Sequence, residues 1–236
     1  MRRMINSSLR LLLNCGEVVE TEHWQGGTEH PKFLEVLNIS PRVQMLTEGE
    51  GLENLASQPW AAIHFDERVS GLPLNPPPSH EMWNIKTDDY LKDGKFSHSY
   101  PERMWPKGLM SGIRFEIGDL NTLCEVLAND PTTRQAVMPM YSYEDLSAAL
   151  QSERVPCSLS WHFILRGGKL HCTYAMRSCD ALRHFHNDVY FATKLTNWVI
   201  KNSGIKAVPG QLTMNITSFH CFESDRPLIT KILQDV

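Results

Sequence analysis

Apolar residues recur in this chain with two different periods, and the changes of period mark out its elements. Positions 33–39 (Phe-Leu-Glu-Val-Leu-Asn-Ile) read as a strand, and 59–69 as a helix with Pro59 in its first turn. Leu120, Leu123, Val126 and Leu127 share one face of a helix over 118–128, which Asn129-Asp130-Pro131 stops. A short strand follows at 136–140. Two strands at 159–165 and 170–176 flank Arg166-Gly167-Gly168-Lys169, a hairpin signature. The spacing predicts a helix over 189–200 and an alternating strand over 211–222. The apolar run Leu11-Leu12-Leu13 near the start begins the fold as a helix or strand.

Interleaved helices and strands predict an α/β (α+β) protein, with a large mixed sheet flanked by helices. Residues 1–236 are expected to form one domain, and 42% hydrophobic content is ample for its core. One segment interrupts the pattern. Positions 72–108 hold Pro73, Pro76, Pro77, Pro78, Pro101 and Pro106 and predict a loop region with short elements. Loops of that length inside a domain are usually functional.

Charge narrows the partners. A net charge of −4 gives no basic field to follow a nucleic-acid polymer, so any phosphate must be held by a few placed arginines. The six cysteines lack a CxxC pair or a disulfide framework and read as reduced thiols of a cytoplasmic protein. No apolar run is long enough to span a membrane. His184 and His186 have no companion ligands at a recognisable metal spacing, so no metal is expected.

The chemistry concentrates in one ordered set. Cys157 follows Pro156 at the head of a β-prone run, Arg177-Ser178-Cys179-Asp180 comes twenty residues later, and Asn187-Asp188 follows. A thiol, an arginine–hydroxyl pair that can hold a phosphate, an amide and a carboxylate suggest covalent chemistry on a nucleotide.

With Asp130-Pro131-Thr132-Thr133-Arg134 before this set and Asn215-Ile216-Thr217-Ser218-Phe219-His220 after it, residues 118–222 resemble the thymidylate synthase superfamily. The closest branch is the phage-type deoxycytidylate hydroxymethylases. The resemblance implies a homodimer joined through the sheet face, 5,10-methylenetetrahydrofolate as cofactor and a nucleoside monophosphate as substrate. It also implies the cytoplasm, that of the host if the gene is a phage's.

Residue by residue, Cys157 would add to pyrimidine C6, which makes C5 nucleophilic. Arg177 and Ser178 would hold the phosphate, joined by Arg134 from the neighbouring subunit, although the second arginine of that turn is here Gln135. Asp188 stands eleven residues after Arg177, where thymidylate synthases place an asparagine. A carboxyl there suits cytosine, accepting from N4 and sharing a proton with N3. A slip of one residue would give that role to Asn187. Ser218 and His220 lie on the sugar-binding strand, and Phe222 replaces its usual tyrosine. Tyr100 would organise active-site water. Asp180 would hydrogen-bond the pterin, and Trp83 would pack on it or belong to the core. Glu67 is the candidate acid/base carboxylate, yet counting back from Gly71 puts His64 in the family glutamate's place.

The reaction so implied is C5 hydroxymethylation of dCMP, with CMP as a possible substrate. Methylation of dCMP or dUMP, and a non-catalytic nucleotide-binding role, remain as alternatives.

Overall fold

Two long parallel strands, β6 (Lys169–Asp180) and β7 (Val208–Phe222), form the middle of the sheet in the computed structural model, which describes residues 1–22, 31–82, 90–105 and 119–234. The hairpin partner β5 (Ser158–Arg166) and the short β4 (Val137–Pro139) extend the sheet antiparallel on one side. On the other side lie β2 (Lys32–Ile39) and β1 (Glu17–Glu20), giving the order β1-β2-β7-β6-β5-β4, with β3 (Arg42–Gln44) also paired to β7. The expected mixed sheet is therefore present among the described residues.

Parallel neighbours require a crossover. The helix α6 (Phe185–Ser203) supplies it between β6 and β7, and packs on both. It begins four residues earlier than apolar spacing predicts, and Asp188 thus lies in its first turn. Of the helices before it, α1 (Arg2–Cys15) lies on β2, α2 (Trp60–Arg68) and α4 (Leu120–Asn129) lie on α6, and α3 (Tyr100–Met104) touches α2. The helices α5 (Glu144–Leu150) and α7 (Arg226–Gln234) are not apparent from spacing: α5 buries only Asp145 and α7 only Ile229. Among the described residues no helix is long and apolar enough to cross a membrane.

The burial pattern of the sheet changes around the candidate residues. A regular strand buries every second residue, and β6 does so through Leu170, Cys172, Tyr174 and Met176 before the phase changes and Cys179 is next. In β7 the buried series Leu212, Met214 and Ile216 gives way to Phe219 and Cys221. Met176 pairs with Ile216 and Cys179 with Phe219, so the two phase changes lie side by side and pairing survives. In β5 the same change falls between Ser158 and Trp161, where the ladder itself shifts. Three adjacent strands thus change their burial phase side by side. Arg177, the last residue of β6 before the change, is exposed beside the start of β5.

The segment 72–108 contains a short turn at Pro78–Met82 and α3 within its described part. Ser99 caps α3 in a reciprocal capping box with Glu102, which fixes Tyr100 as the first helical residue.

Candidate active site

Cys157 sits one residue before β5, half-buried, and its carbonyl accepts from Arg177 N at 2.9 Å. The Arg177 side chain wraps back onto this segment, donating Nε to Pro156 O and Nη2 to Val155 O at 2.9 Å each, with Nη2 3.9 Å from the Cys157 thiol. Burial pushes the thiol up, the Arg177 charge pulls it down, Asp188 raises it and Arg154 lowers it. Ser178 is the next residue along β6.

Tyr100 reaches this position from α3. Its hydroxyl accepts from Ser158 N at 3.5 Å, while the Ser158 hydroxyl bonds Tyr174, whose ring is stacked on Trp161. Burial raises the Tyr100 phenol, and the nearby Cys157 thiol adds to that shift.

Asp188 enters from the first turn of α6 and is 8% exposed. Its Oδ2 accepts from the Cys179 thiol at 3.5 Å. Burial raises its carboxyl to about 6, against the charges of His184 and Arg68, which favour ionisation. Asn187, one residue earlier, is turned elsewhere. Its Oδ1 accepts from Ser57 N at 2.9 Å, and its Nδ2 donates to Arg183 O at 3.1 Å. The amide is thus committed to the loop before α2, and of the two neighbours the carboxylate is the one beside Cys179.

Glu67 is 7% exposed and is not directed at Cys157 by any hydrogen bond. One of its oxygens accepts from Ser79 N, and the other from Ser79 Oγ at 2.6 Å. Nδ1 of His64 lies 2.8 Å from Ser79 Oγ, and Nε2 of His64 lies 3.0 Å from Nη2 of Arg68. Arg68 can only donate, so His64 carries its proton on Nδ1 and the donors run one way, Arg68 to His64 to Ser79 to Glu67. Burial, then the Arg68 charge, hold His64 neutral with a pKa of about 4. From α2, Arg68 is the residue whose charge is felt at Asp188 and Tyr100.

The strand β7 carries a second network. Ser218 donates to Glu35 on β2, directly across from His220 in register, and Ser218 Oγ lies 3.2 Å from His220 Nδ1. With its one proton given to Glu35, Ser218 accepts from Nδ1–H and leaves Nε2 of His220 as an open acceptor. Burial keeps this imidazole neutral. Phe222 stacks on Phe33, with ring centroids 4.9 Å apart.

Asp180 stands beside His220 in the parallel register. Its Oδ1 accepts from Leu182 N at 3.0 Å and Arg183 N at 2.8 Å, and among the described residues its Oδ2 meets only Arg183 Nη1 at 3.3 Å. Oδ2 therefore keeps acceptor capacity. Trp83 lies outside the described residues. Trp105 is a core residue, 5% exposed and bonded to Arg68 O.

Arg134 is exposed at the sheet edge, where its carbonyl accepts from His162 at 3.0 Å. His162 is five residues along β5 from Cys157, roughly 16 Å at a strand rise of about 3.3 Å. The fold does not bring Arg134 to the cysteine of its own chain. Sequence reasoning also missed Arg68, Tyr174, Cys179 and Glu35. Pairing across strands places Glu35 and Cys179, and no local pattern signals it.

The described geometry matches known proteins. Residues 79–235 match the family model for thymidylate synthase. A Methanosarcina barkeri protein provisionally named a thymidylate synthase is 26% identical over 167 residues, covering 67% of this chain and 72% of its own length. A similarly named Methanosarcina acetivorans protein is 24% identical over 169 residues, with the same 67% and 72% coverage. Among solved structures, the thermostable thymidylate synthase A of Bacillus subtilis superposes with a TM-score of 0.71 at 19% identity, over 98% of this chain and 83% of that one.

Proposed function

This chain belongs to the thymidylate synthase family, and from that premise we propose that it hydroxymethylates a cytosine nucleotide at C5, most directly dCMP. The family implies a one-carbon transferase acting on a nucleoside monophosphate with a methylenetetrahydrofolate-type cofactor. The choice of cytosine rests on one observation, the Asp188 carboxyl in the first turn of α6 with its pKa near 6. Such a group holds or yields a proton near neutrality, which is what a partner for cytosine N3 and N4 requires.

In this reading Cys157 adds to C6 as thiolate, and Arg177 stabilises that thiolate while it and Ser178 hold the phosphate. Nε2 of His220 accepts from a sugar hydroxyl, and Asp180 holds the pterin. The bound folate supplies the one-carbon unit. Glu67 acts at a distance, as the end of the hydrogen-bond chain that orients His64 and Arg68. A homodimer through the sheet face would bring the partner subunit's copy of the Asp130–Arg134 turn to the phosphate, which explains why Arg134 lies far from Cys157 in its own chain.

The test is tritium release from C5-labelled dCMP and dUMP with methylenetetrahydrofolate, taking the product mass in the same tube. Release from dCMP with gain of CH2O supports the proposal. A gain of CH2 means methyl transfer, release from dUMP alone removes the cytosine assignment, and no release from either leaves a nucleotide-binding protein.

A further inference from the structure

Three side chains stand in one row across the sheet. His220 on β7 is directly opposite Glu35 on β2 in the antiparallel register, and directly opposite Asp180 on β6 in the parallel one. Residues paired in this way point to the same face of a sheet. Two residues back along the strands, and so on that same face, Ser218 is opposite Ser178. The row of Asp180, His220 and Glu35 therefore lies roughly 7 Å along the sheet from Ser178, at a strand rise of about 3.3 Å.

On its Glu35 side this row presents acceptors. Asp180 is answered by Arg183, whose Nη1 lies 3.3 Å from Oδ2. Among the described residues Glu35 meets only the Ser218 hydroxyl, so no cation there neutralises it. Ser218 has one hydroxyl proton, and the carboxylate, which can only accept, takes it. Ser218 Oγ must then accept from His220 Nδ1–H, 3.2 Å away, which leaves a lone pair on Nε2. Glu35 and His220 are both half-buried, so neither is sealed from solvent. A lone pair beside an unneutralised carboxylate welcomes an O–H group and repels an anion.

The next step rests on the function proposed above, in which Arg177 and Ser178 hold the 5′-phosphate and His220 meets a sugar hydroxyl. We propose that Glu35 is a specificity-determining residue: it keeps the sugar end of the site acceptor-only and anionic, which admits a free hydroxyl and excludes a phosphate esterified to it. Glu35 acts directly through its charge and, by way of Ser218, through the proton that it holds on Nδ1 of His220. The substrate class is thereby narrowed to nucleoside monophosphates with a free sugar hydroxyl. Nucleoside bisphosphates and the internal residues of a polynucleotide are shut out.

Binding of dCMP and of deoxycytidine 3′,5′-bisphosphate, titrated by calorimetry into the wild type, Glu35→Gln and Glu35→Leu, tests this. The wild type should favour dCMP by roughly 10-fold or more, and added salt should narrow that gap. A glutamine still accepts from Ser218 and removes only the charge, so Glu35→Gln should tighten the bisphosphate roughly 10-fold. Glu35→Leu should tighten it further, because the Ser218 proton then turns to Nδ1 and leaves Nε2–H to donate to the phosphate. Nitrogen NMR of the His220 ring should accordingly show Nδ1–H in the wild type and Glu35→Gln but Nε2–H in Glu35→Leu. Loss of a merely structural support would weaken both ligands, whereas the expected change is a gain for one. Equal weakening of both, an unchanged bisphosphate affinity in both variants, or a wild type that binds the two nucleotides alike would overturn the inference. A wild type that binds neither would overturn the function proposed above and take this inference with it.

Discussion

The Cys179 thiol donates to Oδ2 of Asp188 across 3.5 Å, so a buried carboxylate has a weak donor where a hydroxyl or amide would normally stand. That pairing leaves burial dominant and the carboxyl near 6. The burial-phase change in β6 provides Cys179 and the early start of α6 provides Asp188.

Asp188 should therefore cost stability at neutral pH. Its folded pKa of about 6 lies above the ordinary 3.8, so the native state binds more protons between these values and loses stability as pH rises through them. A change of that size is worth about 3 kcal/mol. Asp188→Asn should match the wild type in urea unfolding near pH 3.5 and exceed it by about 3 kcal/mol above pH 7, while turning over no dCMP. Parallel stability curves at all pH values would show that the carboxyl is not so perturbed.

Cys157 should be a slow nucleophile in the free protein. Burial raises its thiol above the ordinary 9.0 and Arg177 works against that rise. Alkylation by iodoacetamide, followed by peptide mass, should be half-maximal above pH 9. Arg177→Met should move the midpoint higher. The exposed Cys15 gives the reference rate in the same digest. An inflection near neutrality would mean that the thiol is activated before substrate binds.

The chain from Arg68 through His64 and Ser79 to Glu67 gives a third expectation. Glu67 is held below the usual carboxylate range: burial pushes it up, but His64 Nδ1, 3.4 Å away, and the hydrogen bonds from Ser79 outweigh that. Its stabilisation is present above the ordinary 4.5 and lost as pH falls through the lower folded value. Glu67→Gln should cost about 3 kcal/mol at pH 7, because buried Arg68 loses its relayed counter-charge. The difference should vanish in acid, where Glu67 is itself neutral. His64, neutral with a pKa of about 4, adds acid lability of the same sign.

Elements with a strong period were legible in the sequence. The strands at 159–165 and 170–176 and the helix at 118–128 are present, because each buries a continuous face. The approach of Arg177 to the Cys157 segment follows from the hairpin that the sequence predicts, since the two lie at its open end. Arg68, Cys179 and Glu35 were not legible. Each reaches the site through a partner on another element: Arg68 through Tyr100, Cys179 through Asp188, Glu35 through Ser218. A linear pattern contains no such pairing. The coincident phase changes in β5, β6 and β7 were equally hidden, because they are set by pairing with neighbouring strands.

Asn187 supplies the last expectation, because it separates anchoring from chemistry. Its side chain fastens the first turn of α6 to the loop before α2, accepting from Ser57 N at 2.9 Å and donating to Arg183 O at 3.1 Å. Asn187→Ala leaves Ser57 N without that acceptor and should cost about 2 kcal/mol in urea unfolding. It should also let the Asp188 turn move, so kcat for dCMP should fall while the ratio of dCMP to dUMP use stays put. Asp188→Asn should do the reverse to that ratio, shifting it toward dUMP with little loss of anchoring. If Asn187→Ala alters base preference as strongly as Asp188→Asn, the amide reads the base and the one-residue slip is the correct alignment.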